Sequence, residues 1–222
     1  MRTAVIFDLD GCLVDSRRVF LNCMRYALEK LGRPPLSDAE LLPYLGPPFV
    51  QGFSALFGVP SEDPLVTAGI DAYRERYGRT MAEETDVPDG MADALATLSK
   101  THALAVATSK PYHFAEPLLG HMGLREFFTV VAGPELDHRL ETKAETIDNA
   151  LTQLGEVEAV MVGDRSFDVI GARENGLPCV GVTWALIDDE ELREAGADAI
   201  IGHPSELPGA IARTGLRSPR AR

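Results

Sequence analysis

The sequence predicts an α/β fold in which helices cover both faces of a parallel sheet and a small all-helical domain follows the first strand. Short apolar runs without clean two-residue alternation recur along the chain, as expected of strands buried on both faces. Segments of helical length separate most of these runs, which implies parallel strands with right-handed crossovers. Residues 15–86, however, carry only helical patterns, and this interval is too long for an ordinary crossover.

Six apolar runs are the predicted strands, and the helices of the sheet-containing domain lie between them. The predicted strands are residues 4–9, 103–108, 129–132, 159–162, 179–182 and 199–201. The predicted helices of this domain are residues 90–100, 112–122, 143–154 and 167–175. Asp89 is expected to cap the first of these helices, and Asn175 with Gly176 before Pro178 forms a stop signal. The pattern is that of a Rossmann-like core.

The inserted segment is predicted to contain four helices of its own. They are residues 17–31, 37–42, 49–57 and 64–77. Ser37 followed three residues later by Glu40 forms a capping-box pattern at the start of the second helix. The predicted domains are a discontinuous core of residues 1–14 and 87–212, a helical insert of residues 15–86 and a disordered tail of residues 213–222, which contains four arginines.

Composition excludes some partners. The net charge of −13 argues against binding nucleic acid or an anionic membrane, because either would repel the chain. A small phosphorylated substrate remains compatible, since a metal ion and a few lysines can balance its charge locally. The three widely spaced cysteines indicate reduced thiols, Met1 leads directly into a strand, and no apolar run could span a bilayer. We therefore expect a cytoplasmic protein; the sequence does not distinguish a monomer from a homodimer.

Polar side chains follow several strands at the carboxyl edge of the predicted sheet, where open parallel sheets bind ligands. Asp8 and Asp10 follow the first strand, and they would face one point if the strand persisted through them. The other candidates are Thr108 and Ser109 after the second strand, Lys143 at a helix start, and Asp164 with Asp168 after the fourth strand. Lys110 is expected to lie beyond this edge and to face solvent.

Each candidate also has an ordinary structural explanation. Thr108 or Ser109 could cap a helix, Lys143 could be a solvated surface charge, and Asp164 could be a turn residue. These explanations do not account for an acid pair, a hydroxyl, a lysine and further acids in this order at successive strand ends. The joint placement therefore predicts one site.

The residue types in this site suit phosphoryl transfer. Mg2+ prefers one or two carboxylates together with phosphate oxygens. Thr108 and Lys143 could hold the remaining phosphate oxygens. Asp8 could then attack phosphorus and form an aspartyl-phosphate, while Asp10 protonates the leaving alkoxide and later deprotonates water.

The four segments Asp8–Gly11, Thr108–Ser109, Lys143 and Gly163–Asp168 resemble the four motifs of the haloacid-dehalogenase-like hydrolases. The resemblance implies that Asp8 is the nucleophile and that Asp10 is the general acid/base. It also implies roles for the other residues: Thr108, Ser109 and Lys143 bind phosphate, Asp8, Asp164 and the backbone carbonyl of Asp10 hold Mg2+, and Asp168 lies next to the metal. Two departures from the family pattern are Cys12 in place of a threonine and Ala144 in place of a proline.

The helical insert resembles the cap of the phosphoglycolate-phosphatase and β-phosphoglucomutase branch. That resemblance implies a phosphatase acting on a small phosphorylated metabolite, with phosphoglycolate as the leading substrate. A 5′-nucleotidase-like phosphatase and a β-phosphoglucomutase-like phosphomutase remain alternatives. A receiver-type signalling domain is disfavoured, because it needs neither the insert nor a second aspartate beside the acceptor. The cap is expected to close over the site, with Arg17, Gly46 and Phe49 as candidate substrate contacts.

Overall fold

The computed structural model describes residues 2–46, 48–136, 142–185 and 189–217. It divides into two units, one made of Met1–Asp15 with Val87–Arg222 and the other of Ser16–Asp86. Pro47, which lies between the candidate cap residues Gly46 and Phe49, is outside the described residues.

The first unit is built on a sheet of six parallel strands. In chain order they are Arg2–Phe7 (β1), Ala103–Ala107 (β2), Val130–Ala132 (β3), Val157–Gly163 (β4), Cys179–Val182 (β5) and Ala199–Ile201 (β6). Their spatial order is β3-β2-β1-β4-β5-β6, so that β1 lies between β2 and β4. The predicted α/β, Rossmann-like fold class is confirmed.

The register of the central strands brings their carboxyl ends together. Phe7, the last residue of β1, lies opposite Val106 on one side and Val162 on the other. The segments that begin at Asp8, Thr108 and Asp164 therefore leave the sheet at nearly the same level.

The described residues of the second unit contain helices and no strand. Its helices are Arg17–Lys30 (α1), Asp38–Leu41 (α2), Phe49–Phe57 (α3) and Pro64–Glu84 (α4), with a short 3-10 turn at Leu42–Tyr44. The rings of Phe20 and Phe49 pack against Tyr73 of α4, and Phe53 is 1% exposed. This aromatic cluster gives the unit a hydrophobic core of its own.

The described residues of the first unit also include six α-helices. They are Met91–Leu98 (α5), Tyr112–His121 (α6), Lys143–Leu154 (α7), Ser166–Glu174 (α8), Glu190–Ala195 (α9) and Leu207–Thr214 (α10). None of the helices in the described ranges combines the length and the apolar character that a membrane span needs.

Several predicted boundaries were wrong. β1 ends at Phe7 rather than residue 9, and α4 continues past Tyr77 to Glu84. The N-cap of α5 is Gly90, in the left-handed conformation, rather than Asp89. The helices α9 and α10 were not predicted.

The disordered tail was predicted to begin too early in the chain. Arg213 and Thr214 belong to α10. Arg217 forms an antiparallel bridge with Ala159, in which the N–H of each residue donates to the carbonyl of the other at 2.9 and 3.2 Å. The rest of the predicted tail, residues 218–222, lies outside the described residues.

Candidate active site

Asp8 and Lys143 form a buried ion pair at the carboxyl end of the sheet. The backbone N–H of Asp8 donates to Val162 O at 2.9 Å, which extends the β1–β4 ladder by one residue. Lys143 Nζ donates to Asp8 Oδ1 at 2.8 Å and to Ala107 O at 3.2 Å. The Lys143 and Asp8 side chains are 6% and 11% exposed, so solvent screens their attraction weakly.

The start of α7 positions this lysine. Thr142 Oγ1 accepts the N–H of Glu145 at 3.2 Å, and Glu145 Oε2 accepts the N–H of Thr142 at 2.7 Å. This reciprocal capping box satisfies two N–H groups that a helix end otherwise leaves unbonded. Lys143 is the first residue of the helix. The capping box therefore fixes the backbone from which the side chain of Lys143 extends.

Two further carboxylates lie just beyond β4. Asp168 Oδ1 is 3.0 Å from Lys143 Nζ, and Asp168 Oδ2 accepts the N–H of Arg165 at 3.1 Å. Asp164 is 5% exposed, and in the described part of the chain no group donates a hydrogen bond to its Oδ1. One ammonium group thus faces the carboxylates of Asp8 and Asp168, with Asp164 beside them.

Glycines make room for these carboxylates. A Cβ atom on Gly11, whose φ is +84°, would lie 2.1 Å from Asp164 Oδ2. A Cβ atom on Gly163 would lie 2.3 Å from Asp168 Cγ. Both distances are far below van der Waals contact. The carboxylates therefore occupy space that any other residue at these two positions would fill.

Burial is the largest influence on the pKa values of Asp8 and Asp164. Burial raises the pKa of Asp8 to about 6, against the opposing effect of Lys143 and with a further contribution from Asp168 and Asp10. Burial also raises the pKa of Asp164 well above its usual value, and Asp168 and Asp8 add to the effect. For Lys143, burial lowers the pKa, but Asp168 and Asp8 outweigh it and leave the pKa raised. The positive charge of Lys143 therefore does not balance the negative charges of the carboxylates around it.

The residues fit a divalent cation. Asp8, Asp164 and Asp168 can each offer a carboxylate oxygen, and these oxygens lie within 4.8 Å of one another. The unbonded Oδ1 of Asp164 supplies a buried acceptor that a metal would satisfy. Oxygen donors of this kind suit Mg2+. The geometric cluster contains Asp168 rather than the side chain of Asp10.

Thr108 and Ser109, the predicted phosphate-binding pair, have different environments. Thr108 is 1% exposed; its N–H donates to Ala132 O at 3.0 Å, and its Oγ1 accepts the N–H of Lys110 at 3.1 Å. Ser109 is exposed. The backbone after β2 is thus held in place, and phosphate binding by the two hydroxyls stays a prediction.

The expectation that Lys110 faces solvent was wrong. Its Nζ lies 2.9 Å from Asp10 Oδ2, and the Lys110 side chain is only 11% exposed. β1 ends before Asp8, so the condition under which Asp8 and Asp10 would share a strand face is not met. Lys143 contacts both Asp8 and Asp168, whereas Lys110 contacts Asp10.

A family model described as haloacid dehalogenase-like hydrolase matches residues 5–182, most of the chain and all the strand-end segments described above. The chain belongs to the haloacid dehalogenase-like hydrolase family. The predicted family and enzyme class, a phosphoric monoester hydrolase, are confirmed.

Several similar proteins carry phosphatase or nucleotidase names, whereas the tyrosine-protein kinase PtkA of Mycobacterium tuberculosis, 37% identical over 185 residues, does not. A 5′-nucleotidase of Pseudomonas aeruginosa is 35% identical over 192 residues, which cover 85% of this chain and 86% of the relative. A phosphoglycolate phosphatase of Chromobacterium violaceum is 30% identical over 215 residues, covering 92% and 94%. The crystal structure of a predicted phosphatase from Clostridium acetobutylicum matches with a TM-score of 0.88 and 35% identity, covering 96% of this chain and 99% of that one.

The candidate cap residues of this haloacid dehalogenase-like hydrolase lie in the helical unit. Arg17 begins α1 and is half-buried, and Gly46 has a φ of +110°. The ring of Phe49 packs against those of Tyr73 and Phe53, with centroids 4.5 and 6.3 Å apart. Phe49 is thus part of the aromatic core of this unit, and its contact with substrate stays a prediction, as do those of Arg17 and Gly46.

Sequence reasoning missed two residues that brace the site of this family member. Trp184 Nε1 donates to Cys12 O at 2.8 Å, which ties the segment after β5 to the segment after β1. Glu191 Oε1 accepts the backbone N–H and the hydroxyl of Ser166 at 2.8 and 2.7 Å, at the start of α8. Trp184 follows the carboxyl end of a predicted strand. The rule that site residues follow the carboxyl ends of parallel strands, called the strand-end rule below, could therefore have found it. Glu191 gave no such signal, because its helix was not predicted.

Proposed function

We propose that this protein is a Mg2+-dependent phosphatase that hydrolyses a small phosphorylated metabolite through an aspartyl-phosphate on Asp8. The observation that carries the proposal is the buried contact of Asp8 Oδ1 with Lys143 Nζ at 2.8 Å, beside Asp164 and at the carboxyl end of the sheet. A fixed, desolvated carboxylate beside a lysine suits nucleophilic attack on a phosphate, whose charge the lysine offsets.

The reaction follows from the roles of three side chains. In the first step Asp8 attacks phosphorus, the P–O ester bond breaks, and Asp10 gives its proton to the leaving oxygen. In the second step water attacks phosphorus, Asp10 takes a proton from that water, and the bond between Asp8 and phosphorus breaks. Lys143 binds phosphate oxygens in both steps. The products are an alcohol and inorganic phosphate.

Asp8, Asp164 and the backbone carbonyl of Asp10 are the proposed holders of Mg2+. When bound, the cation supplies positive charge between the carboxylates and the phosphate, which otherwise repel each other. Asp168 Oδ2 accepts the Arg165 N–H, whereas its buried Oδ1 lies 3.0 Å from Lys143 Nζ and has no hydrogen-bond partner among the described residues. Asp168 therefore suits positioning of the lysine, and its Oδ1 is also available to a cation.

The leading substrate is phosphoglycolate, in line with the branch that the cap resembles and with the Chromobacterium violaceum relative. A nucleoside 5′-monophosphate is the second candidate, supported by the higher identity to the Pseudomonas aeruginosa 5′-nucleotidase. A phosphomutase remains the third possibility, since it would form the same aspartyl-phosphate. A cytoplasmic location and substrate contacts by Arg17, Gly46 and Phe49 are part of this proposal.

The test measures phosphate release from phosphoglycolate, nucleoside 5′-monophosphates and sugar phosphates, with Mg2+ or with EDTA. We expect Asp8→Asn to lower release by roughly 10³-fold or more, as removal of a nucleophile does. Asp93→Asn, at an exposed position on α5, is the matched control and should retain wild-type activity. Activity that survives in Asp8→Asn or in EDTA would contradict the mechanism, and an isomerised sugar phosphate would identify a mutase.

A further inference from the structure

The indole of Trp184 donates a hydrogen bond to the backbone of the turn that follows β1. Its Nε1 lies 2.8 Å from Cys12 O, although the two residues are 172 positions apart in the sequence. The strands that lead into these segments, β1 and β5, are not neighbours, because β4 lies between them. The bond therefore joins segments on either side of the carboxyl end of β4, where Asp164 follows the strand. None of the catalytic steps proposed above uses it.

The turn after β1 is tightly closed and buried. The N–H groups of Leu13 and Val14 both donate to Leu9 O, at 2.9 and 3.0 Å, and the N–H of Gly11 donates to Val14 O at 2.8 Å. Cys12, in the middle of the turn, is fully buried. A carbonyl in such a place needs a donor, because its hydrogen bonds to water are lost on folding. The indole N–H supplies one.

The turn lies directly against a carboxylate of the site. A Cβ atom on Gly11 would lie 2.1 Å from Asp164 Oδ2, so little space separates the two segments. Carboxylate oxygens of Asp8, Asp164 and Asp168 lie within 4.8 Å of one another, and like charges at such distances repel. This repulsion favours separation of the segments after β1 and β4. The bond from Trp184 opposes the separation, since it connects the turn to the far side of β4.

We propose that Trp184 is a positioning residue of the Mg2+ site, which holds the turn that carries the Asp10 carbonyl against Asp164. The inference rests on the proposed binding of Mg2+ by these two residues. Residues that orient metal ligands without touching the metal commonly contribute about 10- to 100-fold to metal affinity or activity. A bound cation favours the same arrangement of the turn as the indole does. Loss of the indole bond should therefore weaken the binding of Mg2+.

The test removes the indole N–H and measures Mg2+ binding directly. Trp184 is the only tryptophan of the chain. Replacing tryptophan by its benzothiophene analogue, in which sulfur takes the place of the N–H group, therefore changes this residue alone. Isothermal titration calorimetry should show the Kd for Mg2+ rising by about 10-fold or more in this form and in Trp184→Phe. Phosphate release should need correspondingly more Mg2+, and the KM for substrate at saturating Mg2+ should keep its wild-type value.

Two controls separate positioning from a general loss of stability. Tryptophan fluorinated on its six-membered ring keeps the N–H donor, and protein that contains it should bind Mg2+ with the wild-type Kd. Thr3→Val removes a different hydrogen bond between distant segments, the one that Thr3 Oγ1 donates to Thr101 O at 3.1 Å near the amino end of β1. This variant should have a lower Tm and an unchanged Kd for Mg2+.

The outcomes distinguish this inference from the proposed function. A wild-type Kd for Mg2+ in the benzothiophene form would overturn the positioning role and leave the phosphatase mechanism intact. An equal rise in Kd in Thr3→Val would do the same, because the effect would then reflect stability alone. If Trp184→Phe does not fold, the benzothiophene form decides, since its ring has the shape of indole. If wild type neither binds Mg2+ nor releases phosphate with it, the proposed function fails, and the inference fails with it.

Discussion

Asp8 carries a negative charge in a place that disfavours it. Burial raises its pKa, Lys143 opposes that effect, and Asp168 and Asp10 strengthen it. The same lysine also faces Asp168, so its charge is shared between two carboxylates. A cation bound beside Asp8 would therefore favour the ionised form that the proposed attack requires.

Stability in EDTA should depend on the titration of Asp8. Its pKa of about 6 in the folded chain lies above the ordinary value of 3.8, so the folded state binds the proton more tightly. This contribution to the free energy of unfolding is complete below about pH 4 and is lost as the pH rises through about 6. The two pKa values differ by an amount that corresponds to roughly 3 kcal/mol. Urea unfolding should show wild type losing stability relative to Asp8→Asn across this interval; a constant difference would contradict the assignment.

Gly11→Ala should have two effects: it should strain the backbone, and it should disrupt the metal site. At Gly11 the new Cβ would collide with Asp164 Oδ2, whereas Gly123 has a similar φ of +69° and nothing within 4 Å. Both Gly11→Ala and Gly123→Ala should lose about 1–2 kcal/mol of stability, because alanine disfavours the left-handed conformation.

Only Gly11→Ala should also lose Mg2+-dependent phosphate release and the rise in Tm on adding Mg2+. Equal activity in Gly11→Ala and Gly123→Ala would show that the contact with Asp164 is unimportant.

The strand-end rule predicted the convergence of Asp8, Lys143, Asp164 and Asp168, because it requires only the positions at which strands and helices begin and end. It failed for Lys110, whose Nζ lies 2.9 Å from Asp10 Oδ2, a contact between segments distant in sequence. Sequence position along a loop does not determine which way a side chain points.

Secondary structure was predictable where a hydrophobic pattern marked it. All six strands and the longer core helices coincide with the patterned segments. The missed helix α9 is six residues long and has one buried side chain, Leu192, so it has no periodicity to detect. The helix α10 begins at Leu207 and was not predicted, because Pro208 and Gly209 are residues that disfavour helices.

The capping box at α7 offers a test of how a helix end serves the site. Thr142→Ala should lower stability by about 1 kcal/mol, the usual cost of removing an N-cap. Because Lys143 is the next residue, fraying there should also lower phosphate release. Ser37→Ala removes the equivalent residue of the capping box at α2, and should lose similar stability without loss of activity. The test measures kcat and urea unfolding for both variants. Full activity in Thr142→Ala would show that the position of Lys143 does not depend on the capping box.

The arrangement of the whole chain was harder to predict than its parts. The helical insert was predicted to span residues 15–86, and the helical unit comprises Ser16–Asp86. The strand order could not be inferred, because it depends on pairing between distant segments, such as β1 with β4. That pairing nevertheless brings Asp8 and Asp164 together, so the site is a product of long-range topology.

Mg2+ binding should stabilise the α/β unit, since all three clustered carboxylates belong to it. A ligand that binds only the folded state adds about 2.7 kcal/mol when its concentration is 100 times its Kd. Trp184 is the single tryptophan of the chain and lies in the same unit, so its fluorescence reports unfolding there. We expect Mg2+ to raise the Tm of the fluorescence transition in wild type and in Asp93→Asn, and to leave it nearly unchanged in Asp164→Asn. An equal rise in Asp164→Asn would place the cation elsewhere, whereas no rise in wild type would contradict a Mg2+ site at these carboxylates.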